Sequence, residues 1–190
     1  KIIKKFENKE LYNSINSIQE DFAYIVVGHW MQGDFSHDRK NIALTVKSFY
    51  ETFKNHKNPP ALILKTCRVN ASIGDKEVIQ RKIDDIRDSV EGDNIPSVYL
   101  LHGEFTDKEM NEIYNHPKVK SMVSFTKGEG FGRPLLEFSL MNKPIIASGW
   151  SGHLDFLQSE NVGLCGGKIN NVHRSAQVKG LLIEGSQWFD

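Results

Sequence analysis

Three glycines and two glutamates fall within the fourteen residues from Ser124 to Glu137, SFTKGEGFGRPLLE. Gly128, Gly130 and Gly132 leave room for a backbone to approach a ligand closely. Pro134 suits the first turn of a helix predicted over Pro134–Met141, whose unpaired amides and positive dipole end face the glycines. That is the chemistry of a local anion site, and a phosphate fits it. Glu129 and Glu137 stand eight positions apart. A carboxylate repels phosphate but accepts hydrogen bonds from hydroxyl groups, so beside an anion site these two suit a sugar or a ribose. Together the features point to a nucleotide sugar. The glycine spacing is G-x-G-x-G rather than G-x-G-x-x-G, and no acidic residue closes the next strand, which disfavours a nicotinamide dinucleotide.

Other candidate groups are less telling. Arg39-Lys40, taken alone, reads as a solvated basic loop. Cys67 and Cys165 lack the spacing of metal ligands and read as inert thiols of a reducing, cytoplasmic protein. The seven histidines show no HExxH or related pattern, so no zinc site is expected. Ser151 lacks the flanking glycines of a nucleophile elbow. Lys and Arg total 24 and Asp and Glu total 24, leaving no global field to attract nucleic acid or an anionic membrane. The apolar run Ala23–Val27 is far shorter than the roughly 20 residues of a membrane-spanning helix.

These side chains need elements to hold them. Ala23–Val27, Ala61–Leu64, Val98–Leu101, Val119–Phe125 and Ile145–Ala147 read as short buried strands. Between them lie helical patterns: Val46, Phe49, Tyr50 and Phe53, stopped by Asn58-Pro59-Pro60, and Ile79, Ile83, Ile86 and Val90. Another starts at Thr106, with Glu109 three residues on as in a capping box. Alternation of this kind predicts an α/β fold, a Rossmann-like parallel sheet with helices on both faces. Ligands then bind beyond the carboxyl ends of the strands, at the loops after Val27, Leu64, Leu101 and Phe125. Residues 1–22 read as a lead-in or interdomain linker and 23–190 as one donor-binding domain, expected to be part of a longer protein. The Gly-rich stretch after Ala147 gives no clear pattern.

The run GEGFGRPLLE, followed by NKPIIASGWSGHLDFL, resembles the E-x7-E signature of glycosyltransferase family 4, the group 1 glycosyltransferases. Val26–Gly28 is similar to the family's first strand and glycine, Arg39-Lys40-Asn41 to its basic motif and HGEFTDKEM to its base-side loop. The resemblance implies the C-terminal half of a GT-B architecture, which binds a nucleoside-diphosphate sugar for transfer to an acceptor with retention. It implies that Glu129 contacts the donor sugar hydroxyls, that Glu137 holds the ribose and that Gly130, Phe131 and Gly132 lie at sugar and phosphate. Lys40, with Arg39, is implied to neutralise the diphosphate as the glycosidic bond breaks. Phe105 is similar to the position beside the nucleobase. The family often has an arginine directly after the first-strand glycine, where this chain has His29, and Arg133 is a candidate for the missing charge. His153 falls near the cleft by this analogy but reads as a surface or capping histidine. No metal or cofactor is implied, and the acceptor (glycan, lipid, protein or small molecule) is expected to be held by a separate N-terminal domain, so that this piece alone turns over poorly. Two other readings keep the scaffold: a non-catalytic nucleotide-sugar-binding or interaction module, and a nucleotide-sugar epimerase.

Overall fold

A computed structural model describes residues 7–33, 35–68, 71–180 and 182–190. The apolar runs form the strands β1 (Ala23–Val27), β2 (Ala61–Lys65), β3 (Val98–Leu101), β4 (Val119–Ser124) and β5 (Ile145–Ser148). A sixth, β6 (Val162–Cys165), completes a parallel sheet of order β3-β2-β1-β4-β5-β6. This strand lies in the stretch whose pattern is unclear from sequence. It is an edge strand with mostly exposed side chains, so no apolar run marks it. Beyond it, β7 (Ile169–Asn171) and β8 (Gln187–Phe189) pair antiparallel as a separate two-stranded unit around Val172 and Trp188. The α/β, Rossmann-like class expected from the alternation is the architecture found.

The helices sort onto the two faces by the period-two alternation of the strands. Ile25 and Ile63 face one cluster, packed under α1 (Lys9–Asn16), α4 (Asp107–Asn115) and α5 (Arg133–Ser139) through Leu11, Ile15, Ile113, Tyr114, Leu135 and Phe138. Val26, Leu62 and Leu64 face the other, under α2 (Ile42–Phe53) and α3 (Ile73–Asp88) through Ile42, Val46, Phe49, Ile79 and Ile83. Residues 9–18, read from sequence as lead-in, contribute Leu11, Ile15 and Ile18 to the first cluster. The first six positions of that segment lie outside the described residues. No helix among the described residues is long and apolar enough to cross a membrane.

Local chemistry sets the helix starts. Thr106 and Glu109 form the reciprocal capping box anticipated for α4. Asp38 begins α2 by accepting hydrogen bonds from the amides of Ile42 at 2.9 Å and Ala43 at 3.3 Å. At α5 the chain enters through Gly132 with φ +86°. A Cβ there would sit 3.0 Å from that of His153 as well as in the left-handed region, so this turn demands glycine. The helix is shorter than its sequence pattern suggests, ending at Ser139 rather than Met141. Because β1 and β4 are neighbours while their following helices cover opposite faces, the loops after them diverge from a common point. That reversal of strand order opens a crevice.

Candidate functional site

The crevice is a cleft of about 350 Å³ at the carboxyl edge of the sheet. Gly28, Arg39 and Lys40 line it from the loop after β1, and Lys65 and Cys67 from the end of β2. Asp107, Met110 and Tyr114 come from α4, while Glu129, Arg133, Pro134 and Glu137 come from the loop after β4 and the start of α5.

At its centre Glu129 is held by two cations. Its Oε1 lies 2.5 Å from Lys40 Nζ and its Oε2 3.2 Å from Arg39 Nη1. The side chains of Lys40 and Glu129 are only 11% and 10% exposed, so Arg39-Lys40 is not the solvated loop it seems in isolation. Burial pushes the Lys40 ammonium below the usual lysine range, with the Glu129 carboxylate opposing. Gly28 makes the approach possible: a Cβ at that position would stand 3.1 Å from Lys40 Cγ, so the lysine stem lies across the glycine.

Backbone contacts lock the three loops together. Arg39 also donates to the Gly128 carbonyl at 2.9 Å, and the Lys127 amide donates to the Arg39 carbonyl at 2.9 Å. The Glu129 amide donates to Ser151 Oγ at 2.9 Å, Ser151 Oγ donates to the Glu129 carbonyl at 2.6 Å, and the Gly152 amide meets the same carbonyl at 3.0 Å. Under this junction His153 is fully buried, with Nε2 2.8 Å from the Ser148 carbonyl. The surface or capping assignment for His153 is therefore corrected. The 3₁₀ turn over Gly152–Asp155 folds the ring back beneath the glycine loop, and a backbone turn of that kind has no signature in a single histidine.

Arg133 and Glu137 form a second pair at the cleft wall, one helical turn apart. Arg133 Nε is 2.6 Å from Glu137 Oε1, and its Nη2 is 2.7 Å from Asp107 Oδ1. These two carboxylates hold the guanidinium above the ordinary arginine range, so it is a fixed positive charge. The amides of Gly130, Phe131, Gly132 and Arg133 have no acceptor among the described residues.

The structure thus brings together Arg39, Lys40, Glu129, Arg133 and Glu137. It does not bring Gly130, Phe131, Gly132 or Phe105 into the lining of the cleft. Phe131 is 55% exposed and packs on Phe156. Phe105 is partly buried against the core with the Lys65 ammonium 5.6 Å above its ring. Lys65 and Asp107 line the cleft without having been singled out, and Cys67, read from sequence as an inert thiol, lines it as well. Lys65 directly follows Leu64, one of the strand ends where ligands are expected, and that position was its only signal. Cys67 Sγ lies 3.2 Å from His29 Nδ1, and burial pushes its thiol up, away from the reactive thiolate.

No protein-family profile and no curated protein sequence matches the chain. Solved structures do match its fold. The C-terminal domain of the glycosyl transferase group 1 family protein LpcC from Francisella tularensis aligns with a TM-score of 0.58 at 14% identity, covering 87% of this chain and 77% of that one. A UDP-forming α,α-trehalose-phosphate synthase from Burkholderia xenovorans aligns with a TM-score of 0.61 at 8% identity, covering 83% of this chain and 36% of that one. Anabaena HepE, solved in complex with UDP and glucose, aligns with a TM-score of 0.52 at 12% identity, covering 83% and 39%. The fold is thus like that of the C-terminal domain of GT-B glycosyltransferases. The chain spans little more than a third of the latter two proteins.

Proposed function

We propose that this chain is the donor half of a family 4 glycosyltransferase: it binds a nucleoside-diphosphate sugar whose glycosyl group passes to an acceptor with retention of configuration. One observation carries the reading. Arg39, Lys40 and Glu129 converge in a single cleft whose other wall presents Glu137, which is the set of charges a diphosphate and two groups of hydroxyls would require. The comparisons support it at the level of fold, since the matching structures include glycosyltransferases and one solved with UDP and glucose.

Here Arg39 and Lys40 stabilise the negative charge that develops on the departing diphosphate. Glu129 occupies those cations when the cleft is empty and turns to the hydroxyls of the sugar when the diphosphate takes its place. Glu137 receives the ribose. The donor is a substrate, and the reaction as proposed uses no cofactor. The acceptor sits on a separate N-terminal domain, so transfer is tested in a protein that carries one.

Titration calorimetry of the chain against UDP-, GDP- and ADP-sugars tests the donor site. Binding of at least one is expected, and absence of heat with all three sinks the proposal. Glu137→Ala is expected to weaken the nucleotide by about 10- to 100-fold, the loss of one charge-assisted contact worth about 1.5–3 kcal/mol, while leaving free sugar unaffected.

A further inference from the structure

Four cations line the cleft, Arg39, Lys40, Lys65 and Arg133, against three carboxylates, Asp107, Glu129 and Glu137. The carboxylates are all taken: Glu129 by Arg39 and Lys40, and Glu137 and Asp107 by Arg133. Lys65 alone among these cations has no carboxylate partner within the described residues, and its ammonium rests 5.6 Å from the Phe105 ring centroid. Its place is fixed by the sheet. Lys65 pairs with Val27 across β1 and β2, and its carbonyl accepts the Gly28 amide at 3.1 Å. Since the Lys40 stem crosses Gly28, Lys65 stands one strand, roughly 5 Å of backbone spacing, from that crossing.

An incoming diphosphate brings more negative charge than the cleft leaves uncompensated. Were it to rely on Arg39 and Lys40 alone, it would have to strip Glu129, which is nearly buried, of both its partners. An ammonium held over an aromatic ring is attracted only weakly and moves to an anion without leaving a buried carboxylate behind. We infer that Lys65 is a further anion-binding residue of the donor site and takes the phosphate of a nucleoside diphosphate directly. This rests on the donor-site reading above and adds to it a contact from the second strand.

The test is titration of the unmodified chain, Lys65→Met and Lys65→Arg with UDP, GDP, ADP and uridine. Lys65→Met is expected to weaken whichever diphosphate binds by tenfold or more, Lys65→Arg to restore it to within about threefold, and uridine to bind all three proteins alike. Equal diphosphate affinity in Lys65→Met and the unmodified chain overturns the inference while leaving the donor-site reading intact. So does a parallel loss for uridine, which would place the lysine on the base or sugar. If the unmodified chain binds none of the diphosphates, the donor-site reading falls and this inference with it. A second measurement needs no variant: saturating nucleotide is expected to shield the Lys65 amine from acetylation read by mass spectrometry, and undiminished labelling overturns the assignment.

Discussion

Lys40 and Glu129 meet with Nζ and Oε1 2.5 Å apart, although 89 positions separate them in the chain. The pair is largely sheltered from water, and Arg39 completes it on the other carboxylate oxygen. An ion pair of this kind, inside a cleft suited to anions, makes the carboxylate an internal competitor for the ligand.

Glu129→Gln removes that competitor. UDP, which has no sugar for the carboxylate to hold, is expected to bind about three- to tenfold tighter to the variant by calorimetry. Stability is expected to drop by about 1–3 kcal/mol, because two cations lose their partner in a partly desolvated site. Weaker UDP binding would contradict the view that Glu129 occupies the phosphate-binding cations.

Lys127 precedes the glycine loop, is 1% exposed, and contacts the Asp190 carboxylate with its ammonium 4.9 Å from the Trp188 ring centroid. Asp38, buried and pushed up by that burial, is attracted to the same ammonium. Lys127→Met removes the partner of the partly exposed Asp190 and one of the charges attracted to Asp38, which keeps the Ile42 and Ala43 amides, and is expected to lower stability by about 1–3 kcal/mol. Amides of residues 126–129 and 187–190 should exchange faster in deuterium, since the Lys127 side chain ties the glycine loop to Asp190 and Trp188. A variant that melts like the parent with unchanged exchange would rule out this bracing.

His116 is buried against Tyr12 and accepts the Lys118 amide at 3.1 Å. Burial holds it at about 4, against 6.5 for an ordinary histidine. Between these values the unfolded chain binds a proton that the folded chain refuses, so stability falls as pH drops through this window, by up to about 3 kcal/mol, and His116 adds no slope above it. Denaturant titrations from pH 4 to 7 are expected to show a shallower acid limb in His116→Asn; parallel limbs would count against the assignment.

Lys143 donates to the carbonyls of Tyr114, His116 and Val119 at 2.6, 3.0 and 2.7 Å, closing the turn from α4 into β4. Lys143→Met leaves these acceptors short of a charged donor and is expected to cost about 2–3 kcal/mol, a fall in melting temperature of roughly 5–10 °C for a chain of this size. Nucleotide affinity measured well below the melting point should not change, because Lys143, His116 and Val119 lie outside the cleft and Lys143 touches the cleft residue Tyr114 only at its backbone carbonyl.

Much of this arrangement was legible in the sequence because parallel strands are buried on both faces. Ala23–Val27 and Ala61–Leu64 announce themselves as unbroken apolar runs, and Thr106 with Glu109 marks a helix start. β6 and the β7–β8 pair did not, since an exposed edge strand and two three-residue strands carry little apolar signal. At the site, glycines and glutamates stand out by spacing within one loop. The pairing of Glu129 with Arg39 and Lys40, or of Arg133 with Asp107, depends on the strand order and so is invisible along the chain. Phe131 shows the converse. It sits inside the motif, yet its side chain turns outward onto Phe156.

The reversal of strand order between β1 and β4 has a consequence for energetics as well as geometry. No contiguous stretch of this polypeptide holds Arg39 and Lys40 together with Glu129, 89 positions on from Lys40, so a partly folded chain does not assemble the centre of the cleft. Binding is therefore coupled to the whole cooperative transition, and occupancy at a hundred times the dissociation constant would raise the unfolding free energy by about 2.7 kcal/mol. A shift in melting temperature thereby becomes a direct reading of affinity.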